Sequence, residues 1–302
     1  MEKEIQDLII KYMVSRKPID NEYYNEIIRI YLKHHNLEGY IHEQAILTNE
    51  IEDIIAAFIP QYKAIVVSPK GVNAIRKTLA KLHDFQGEQF NVIDILQITQ
   101  YLLHELEHVQ QEYIIENGKD DSIEANLLKI SNPTWDTLQE QLQKNPITND
   151  DFVELRILKQ IERYNELYQT RLYSISLRER LAEVRSYKTM LNILPGLCLP
   201  EKYTEFYKRL LHTQQLRGYD LSGNVTSGPT MDYIDALAGA HLIDTDKCDI
   251  YDDNKVITYL KTKDILSLED RIDLGLPLTK PEYEALSLNV STKLPEQVST
   301  QK

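Results

Sequence analysis

Apolar side chains recur at spacings of three and four residues along much of the chain, which is the repeat of an amphipathic helix. Residues 4–33 follow this repeat on both sides of Pro18, so we predict two helices there. Residues 56–69 instead carry a β-branched run, which predicts two short strands joined by a turn near Gln61. The start of the chain therefore predicts helices beside a small β hairpin.

The clearest helical pattern in the chain begins at Asn91. Asn91 and Asp94 stand at the spacing of an N-terminal cap, and Gly118 is well placed to end the helix. The apolar positions between them form one stripe, made of Ile95, Ile98, Leu102, Leu106, Val109 and Tyr113. We predict a long helix that packs this stripe against the core.

Two further helical regions follow in the sequence. Thr148 can cap a region that runs to Pro195, either as one helix or as two helices that meet near residues 174–176. Thr279 and Glu282 form the pattern of a capping box, which predicts a last short helix. Together with the hairpin, these helices predict an α+β fold that is mainly α.

The chain of 302 residues is long enough for one large domain or two modest ones. Residues 216–230 are rich in glycine and form the most loop-like stretch. We therefore expect a main domain in residues 1–215, a loop and helical extension in residues 216–289 and a flexible tail in residues 290–302.

The composition is that of a folded globular protein, with 42% hydrophobic and 27% charged residues. A net charge of -13 at pH 7 argues against binding of nucleic acid or of an anionic membrane, because both carry negative charge. The chain has two cysteines and lacks an apolar run long enough for an export signal or a membrane span. These features favour a cytoplasmic protein.

The predicted long helix contains the pattern His-Glu-x-x-His, formed by His104, Glu105 and His108. Side chains four residues apart share a helix face, so both imidazoles can bind one metal ion while Glu105 stands beside it. The same face, which points away from the apolar stripe, carries Gln97, Gln100, Tyr101 and Gln111. With 8 histidines in the chain, chance would produce this motif about 0.02 times. We therefore predict a metal site rather than two surface histidines.

A catalytic zinc site needs a third protein ligand. Glu179 and Glu183 lie four residues apart with the small Ala182 between them, so one helix face can offer a carboxylate to the metal and another to an imidazole N–H. Glu124, which is closer to His108 in the sequence, is the other candidate ligand. We favour Glu179, because only this residue brings a second carboxylate four positions on.

These two motifs resemble those of the gluzincins, a branch of the zincin metallopeptidases with a helical His-Glu-x-x-His motif and a downstream Glu-x-x-Ala-Glu helix. The resemblance implies one zinc ion per chain, bound by His104, His108 and Glu179. It also implies that Glu183 orients a histidine and that Glu105 is the general base. The implied fold is zincin-like, with a long active-site helix beside a β hairpin whose edge strand can bind an extended peptide. The chain is similar as well to small cytoplasmic bacterial metalloproteases of the ImmA/IrrE type.

The sequence-based expectation is a zinc-dependent hydrolase, in particular a peptidase that acts on a peptide or protein substrate. One alternative keeps the metal but has no catalytic turnover, as in a regulatory or interaction module. The other alternative is a helical interaction protein in which the motif arose by chance. That alternative predicts no bound metal.

Overall fold

A computed structural model of the protein describes residues 1–48, 55–71, 90–117, 177–216, 266–275 and 278–291, with the single positions 128, 255, 258 and 259. The helices described over their full length are α1 (Glu2–Ser15), α2 (Asn21–His35), α3 (Phe90–Asn117), α4 (Leu177–Ile193), α5 (Glu201–Leu216), α6 (Leu268–Leu274) and α7 (Lys280–Ser291). The described strands are β1 (Ile46–Leu47), β2 (Ala56–Ile59) and β3 (Ala64–Val67). These elements confirm the predicted α+β class that is mainly α.

The predicted break at Pro18 separates α1 from α2, which confirms the two N-terminal helices. Asp20 caps α2, because its carboxylate accepts a hydrogen bond from the backbone N–H of Tyr23 at 3.1 Å. Asn36 ends the helix in the left-handed conformation, with φ at 55°. The inward faces of the two helices are apolar and include the buried Ile5, Ile9, Ile27 and Ile28.

Three short strands form one mixed sheet in the order β1-β3-β2. β2 and β3 are the predicted antiparallel hairpin, joined by a 3-10 turn at Pro60–Tyr62. β1 pairs with β3 in parallel and is not among the predicted strands. It has only two residues and both are exposed, so it lacks the length and the apolar alternation by which a strand is recognised in a sequence.

β2 lies at one edge of the sheet, and the hydrogen-bond register decides which of its backbone groups face outward. The N–H of Ser68 donates to the carbonyl of Ile55 at 2.8 Å, so these two residues form a hydrogen-bonded pair. Such pairs alternate with non-hydrogen-bonded pairs along an antiparallel ladder. Ala57 therefore bonds to β3, whereas the N–H of Phe58, opposite Ile65, points outward.

The apolar stripe of α3 is buried in the core, as predicted. Ile95, Ile98, Leu102, Leu106 and Val109 are buried, and Tyr113 packs at the margin of the core cluster. The helix begins at Phe90, one residue before the predicted cap at Asn91. Near its C-terminus Glu116 forms an ion pair of 2.7 Å with Lys63 and accepts a hydrogen bond of 2.7 Å from Tyr40. α3 is therefore held by the core and also by the hairpin.

α4 ends immediately before the turn that contains Pro195, which confirms the predicted stop. Gln6 of α1 donates to the carbonyl of Ile193, the last residue of α4, at 2.9 Å. Several predicted features lie outside the described residues, namely Gly118, the cap at Thr148, the break near residues 174–176, the loop over residues 217–230 and the tail beyond residue 291.

The chain divides into two compact units. The first consists of Met1–Gly118 and Leu181–Leu211, and the second of Lys119–Arg180 and His212–Lys302. α4 starts at Leu177, so its first turn is grouped with the second unit although the helix is continuous. None of the described helices has the length and apolar character needed to cross a membrane.

Two buried arginines bind helix ends within the second unit. The guanidinium of Arg180 donates to backbone carbonyls at the C-terminal ends of α5 and α6, including that of Gln215 at 2.7 Å. Arg271 pairs with Glu282 at 2.8 Å, and Glu282 also accepts a 2.8 Å hydrogen bond from the N–H of Thr279. The last bond is one half of the predicted capping box at the start of α7.

Ala182 is completely buried on α4, so the structure leaves little room for a larger side chain there. We predict that Ala182→Leu lowers the free energy of unfolding by about 1–3 kcal/mol, because added methylene groups force packed neighbours apart. Urea unfolding followed by circular dichroism measures this change. Asn192→Leu, at an exposed position of the same helix, is the control and should change stability by less than about 0.5 kcal/mol. Equal stability of the two variants would contradict close packing at Ala182.

Candidate metal centre

Helices α3 and α4 face each other through a row of polar side chains, which we call the polar seam. The seam consists of Gln100, His104 and His108 on α3 and of Ser186, Glu183 and Glu179 on α4. Gln100 Nε2 donates to Ser186 Oγ at 3.2 Å, and His104 Nδ1 lies 4.0 Å from Glu183 Oε1. Residue numbers increase along α3 in the direction in which the numbers of the facing residues on α4 decrease. The two helices therefore run antiparallel.

The spacing of the seam residues explains why each set shares one helix face. Successive seam residues are four positions apart on α3 and four or three positions apart on α4. Side chains at these spacings lie on the same face of a helix. α3 thus turns its apolar stripe to the core and a different face to α4. Gln100, His104 and Gln111 on that face are nevertheless buried, so the seam is an interior polar contact that requires internal partners.

The imidazoles of His104 and His108 point their Nε2 atoms at each other, 3.1 Å apart. His108 Nδ1 lies 2.9 Å from Gln111 Oε1. A carbonyl oxygen can only accept, so His108 carries its hydrogen on Nδ1 and presents a lone pair at Nε2. Oε1 of Glu183 lies 4.0 Å from Nδ1 of His104. Nε2 of His104 can donate a hydrogen bond to the His108 lone pair, and in its other tautomer it presents a second lone pair, so that both nitrogens can bind one cation.

Glu179 completes a set of three groups that can bind a metal ion. One ligand atom from each of His104, His108 and Glu179 lies within 4.8 Å of the other two. Two zinc–nitrogen bonds of about 2.0–2.1 Å at a tetrahedral angle place the nitrogens roughly 3.3 Å apart, which is close to the 3.1 Å between the two Nε2 atoms. Two imidazoles and one carboxylate are also a known donor set of catalytic zinc sites. The side chains present therefore fit a zinc ion.

Glu105 directs its two carboxylate oxygens to different groups. Oε2 accepts a 2.7 Å hydrogen bond from the backbone N–H of Phe58, on the outward edge of β2. Oε1 lies 4.0 Å from Nε2 of His104. The strand thus holds one oxygen and leaves the other beside the imidazole nitrogens.

A tyrosine on the same helix, α4, is a hydrogen-bond partner of Glu183. The hydroxyl of Tyr187 forms a hydrogen bond with the Glu183 carboxylate. Burial raises the pKa of Tyr187, and the charge of Glu183 and this hydrogen bond raise it further. Burial and the same charge also raise the pKa of Tyr101. Tyr187 therefore stays protonated at neutral pH, and its hydroxyl is the donor in the hydrogen bond to Glu183.

The structure brings together all five side chains of the site that the sequence motifs favour. They are His104, His108 and Glu179 in one cluster, Glu105 beside the imidazoles and Glu183 next to His104. Glu124, the other candidate ligand, lies outside the described residues.

Three contacts around the site were not predicted. Gln111 follows His108 by three residues and Tyr187 follows Glu183 by four, and these helical spacings could have indicated both contacts. The hydrogen bond from Phe58 has no signal in the sequence, because it comes from a backbone N–H that nearly every residue carries.

Comparison with known proteins finds no matching family model, no matching curated protein and no matching solved structure. The chemistry of the side chains is informative by itself. Imidazole and carboxylate groups together suit a divalent transition metal, and a carboxylate held beside such an ion can accept and donate a proton. The structure thus places side chains that can bind a metal ion next to Glu105, a carboxylate that can accept and donate a proton.

The bond between Phe58 and Glu105 predicts a specific change in amide hydrogen exchange. A hydrogen bond to a charged group contributes about 1.5–3 kcal/mol, so Glu105→Ala should speed exchange of the Phe58 amide by about tenfold or more in NMR measurements. The amide of Ala57, bonded within the ladder, is the internal control and should change by less than about threefold. An unchanged rate at Phe58 would contradict the bond.

Proposed function

We propose that the protein is a zinc-dependent hydrolase that cleaves peptide bonds, with zinc bound by His104, His108 and Glu179. The observation that carries this proposal is the pair of Nε2 atoms, 3.1 Å apart, at a point that Glu179 also approaches. Two imidazole nitrogens and one carboxylate are a donor set that zinc uses in catalytic sites, and the distance between the nitrogens suits two bonds to one zinc ion. The resemblance of the two sequence motifs to those of the gluzincins implies the same three ligands.

Zinc in such a three-ligand site lowers the pKa of a bound water to about 7 and polarises a substrate carbonyl. The groups around the imidazoles support this use. Gln111 accepts the Nδ1 hydrogen of His108, and Glu183 lies on the corresponding side of His104. Acceptors in these positions orient the rings and increase the basicity of the ligating nitrogens.

Glu105 is the general base in this proposal. It removes a proton from the attacking water and delivers that proton to the leaving amine. Its Oε1 atom faces the imidazole nitrogens, while the Phe58 amide holds Oε2. The carboxylate is therefore oriented before a substrate arrives, which reduces the reorganisation needed in the reaction.

We extend the proposal to a zincin-like fold of the gluzincin type. α3 carries the motif and β2 lies at its side, with the outward backbone of Phe58 directed to Glu105. Edge strands can bind an extended chain by strand addition, so a peptide or protein is the substrate class in this proposal. The two cysteines suit a cytoplasmic location.

We expect about one zinc ion per chain in protein purified without chelator, measured by inductively coupled plasma mass spectrometry. His104→Ala and His108→Ala should each abolish stoichiometric binding, because each variant removes one of three ligands. Glu179→Ala should weaken binding severely. Glu124→Ala should leave the zinc content unchanged.

The same series separates the two candidate third ligands. Loss of zinc in Glu124→Ala, with retention in Glu179→Ala, would assign the ligand to Glu124. Glu183→Ala should weaken binding or activity by about 10 to 100-fold, as expected for a residue that orients a ligand. A wild-type protein with no transition metal would rule out the metallohydrolase.

Glu105→Gln should keep the zinc content but lower hydrolysis of fluorophore-labelled casein by about 10²–10⁴-fold, because it removes the base and preserves the shape. Glu112→Gln changes another carboxylate of α3 and is the control, with cleavage near the wild-type rate. Cleavage by Glu105→Gln at the wild-type rate would contradict the assignment. A zinc-loaded wild type that cleaves nothing would instead favour a metal-binding module without turnover.

A further inference from the structure

We propose that Tyr31, Glu107 and Arg185 form a helix clamp that positions the metal centre. The hydroxyl of Tyr31 in α2 donates to Glu107 Oε1 at 2.9 Å, and Arg185 Nη1 of α4 lies 3.6 Å from Glu107 Oε2. The clamp fixes the rotation of α4 and, through it, the positions of Glu179 and Glu183. This inference rests on the proposed zinc site, and it assigns no metal contact to the three clamp residues.

The clamp has its central carboxylate in the protein interior. Glu107 is 5% exposed and Tyr31 is completely buried. The ring of Tyr31 is itself fixed by stacking on His35, with ring centroids 4.2 Å apart. A buried carboxylate is costly unless charged or hydrogen-bonding groups surround it. Glu107 therefore restricts where the guanidinium of Arg185 can lie.

Arg185 leaves α4 in a different direction from the seam residues. Two positions along a helix rotate the side-chain direction by about 200°, so Arg185 and Glu183 leave the helix on different sides. Contacts along the seam alone allow α4 to roll about its own axis. A contact at a second angle, from Arg185 to Glu107, opposes this roll.

A small roll of α4 changes the metal centre. The end of a side chain lies roughly 6 Å from the helix axis, so a roll of about 10° moves a carboxylate oxygen by about 1 Å. Functional sites hold their groups within about 0.5 Å of the productive geometry. Full zinc affinity thus requires the clamp in addition to the ligands.

Substitution of Arg185 distinguishes positioning from simple electrostatics. Arg185 is a cation near a cation site, so removal of its charge should strengthen zinc binding if charge alone mattered. If Arg185 positions α4, its removal should instead weaken zinc binding. We expect Arg185→Met to weaken zinc binding by about 10 to 100-fold in a chelator-competition titration. Arg185→Lys should restore most of the affinity, because one contact at 3.6 Å needs the charge but no bidentate geometry.

A second cluster on the same helix provides a matched control. Glu116 of α3 is bound by a tyrosine and a cation, Tyr40 and Lys63, as Glu107 is in the clamp. Lys63 belongs to the hairpin, so this second cluster joins α3 to the hairpin and not to α4. Lys63→Met should therefore leave the zinc affinity within about threefold of wild type. Thermal unfolding of the zinc-free variants reports any general loss of stability. The visible spectrum of the cobalt-substituted protein reports ligand geometry, and it should change only in Arg185→Met.

The possible results bear on separate claims. Weaker zinc binding by Arg185→Met, with Lys63→Met unchanged, supports the clamp. Equal or tighter binding by Arg185→Met overturns the clamp and leaves the zinc site standing, whereas a wild type that binds no zinc overturns the proposed function. If Arg185→Met does not fold, Tyr31→Phe takes its place because it removes one hydroxyl only. Wild-type affinity and an unchanged cobalt spectrum in that variant would also overturn the clamp.

Discussion

The polar seam between α3 and α4 is the constraint on which the rest of this arrangement depends. The hydrophobic effect has no preferred direction, but buried polar groups must meet partners in a defined geometry. The contact between Gln100 and Ser186 sets the register at one end of the seam. With that register, the antiparallel helices bring the carboxylates of α4 to the imidazoles of α3. The same contacts that hold the helices together therefore assemble the candidate site.

α3 combines two roles that make different demands on its sequence. Its apolar stripe packs in the core, and residues such as Leu106 and Val109 give the helix a rigid support. The face with His104 and His108 carries candidate metal ligands, and Glu105 is held from the side by a strand. Sites built on rigid elements keep their geometry better than sites on loops. The site therefore draws its precision from the core, although its residues do not belong to the stripe.

The features that could be predicted from the sequence are those set by local repeats. Helical spacing located α1, α2 and α3 and placed His104, His108 and the Glu179–Glu183 pair on single faces, because such spacing depends only on neighbouring residues. β1 could not be predicted, because its two residues pair with β3 without a pattern of their own. The burial of Glu107 could not be predicted from the sequence either. Its partner Tyr31 is 76 positions away, and no local pattern links the two.

The connection between the two seam helices is long, since α3 ends at Asn117 and α4 begins at Leu177. In an unfolded chain, the entropy lost when two residues are brought together grows only with the logarithm of the number of residues between them. Each doubling of that number costs only about 0.6 kcal/mol. A carboxylate many positions along the chain is thus almost as available to the imidazoles as a nearby one. A complementary helix face can therefore decide between two carboxylates, and the number of residues from His108 is a poor guide to which of them approaches the imidazoles.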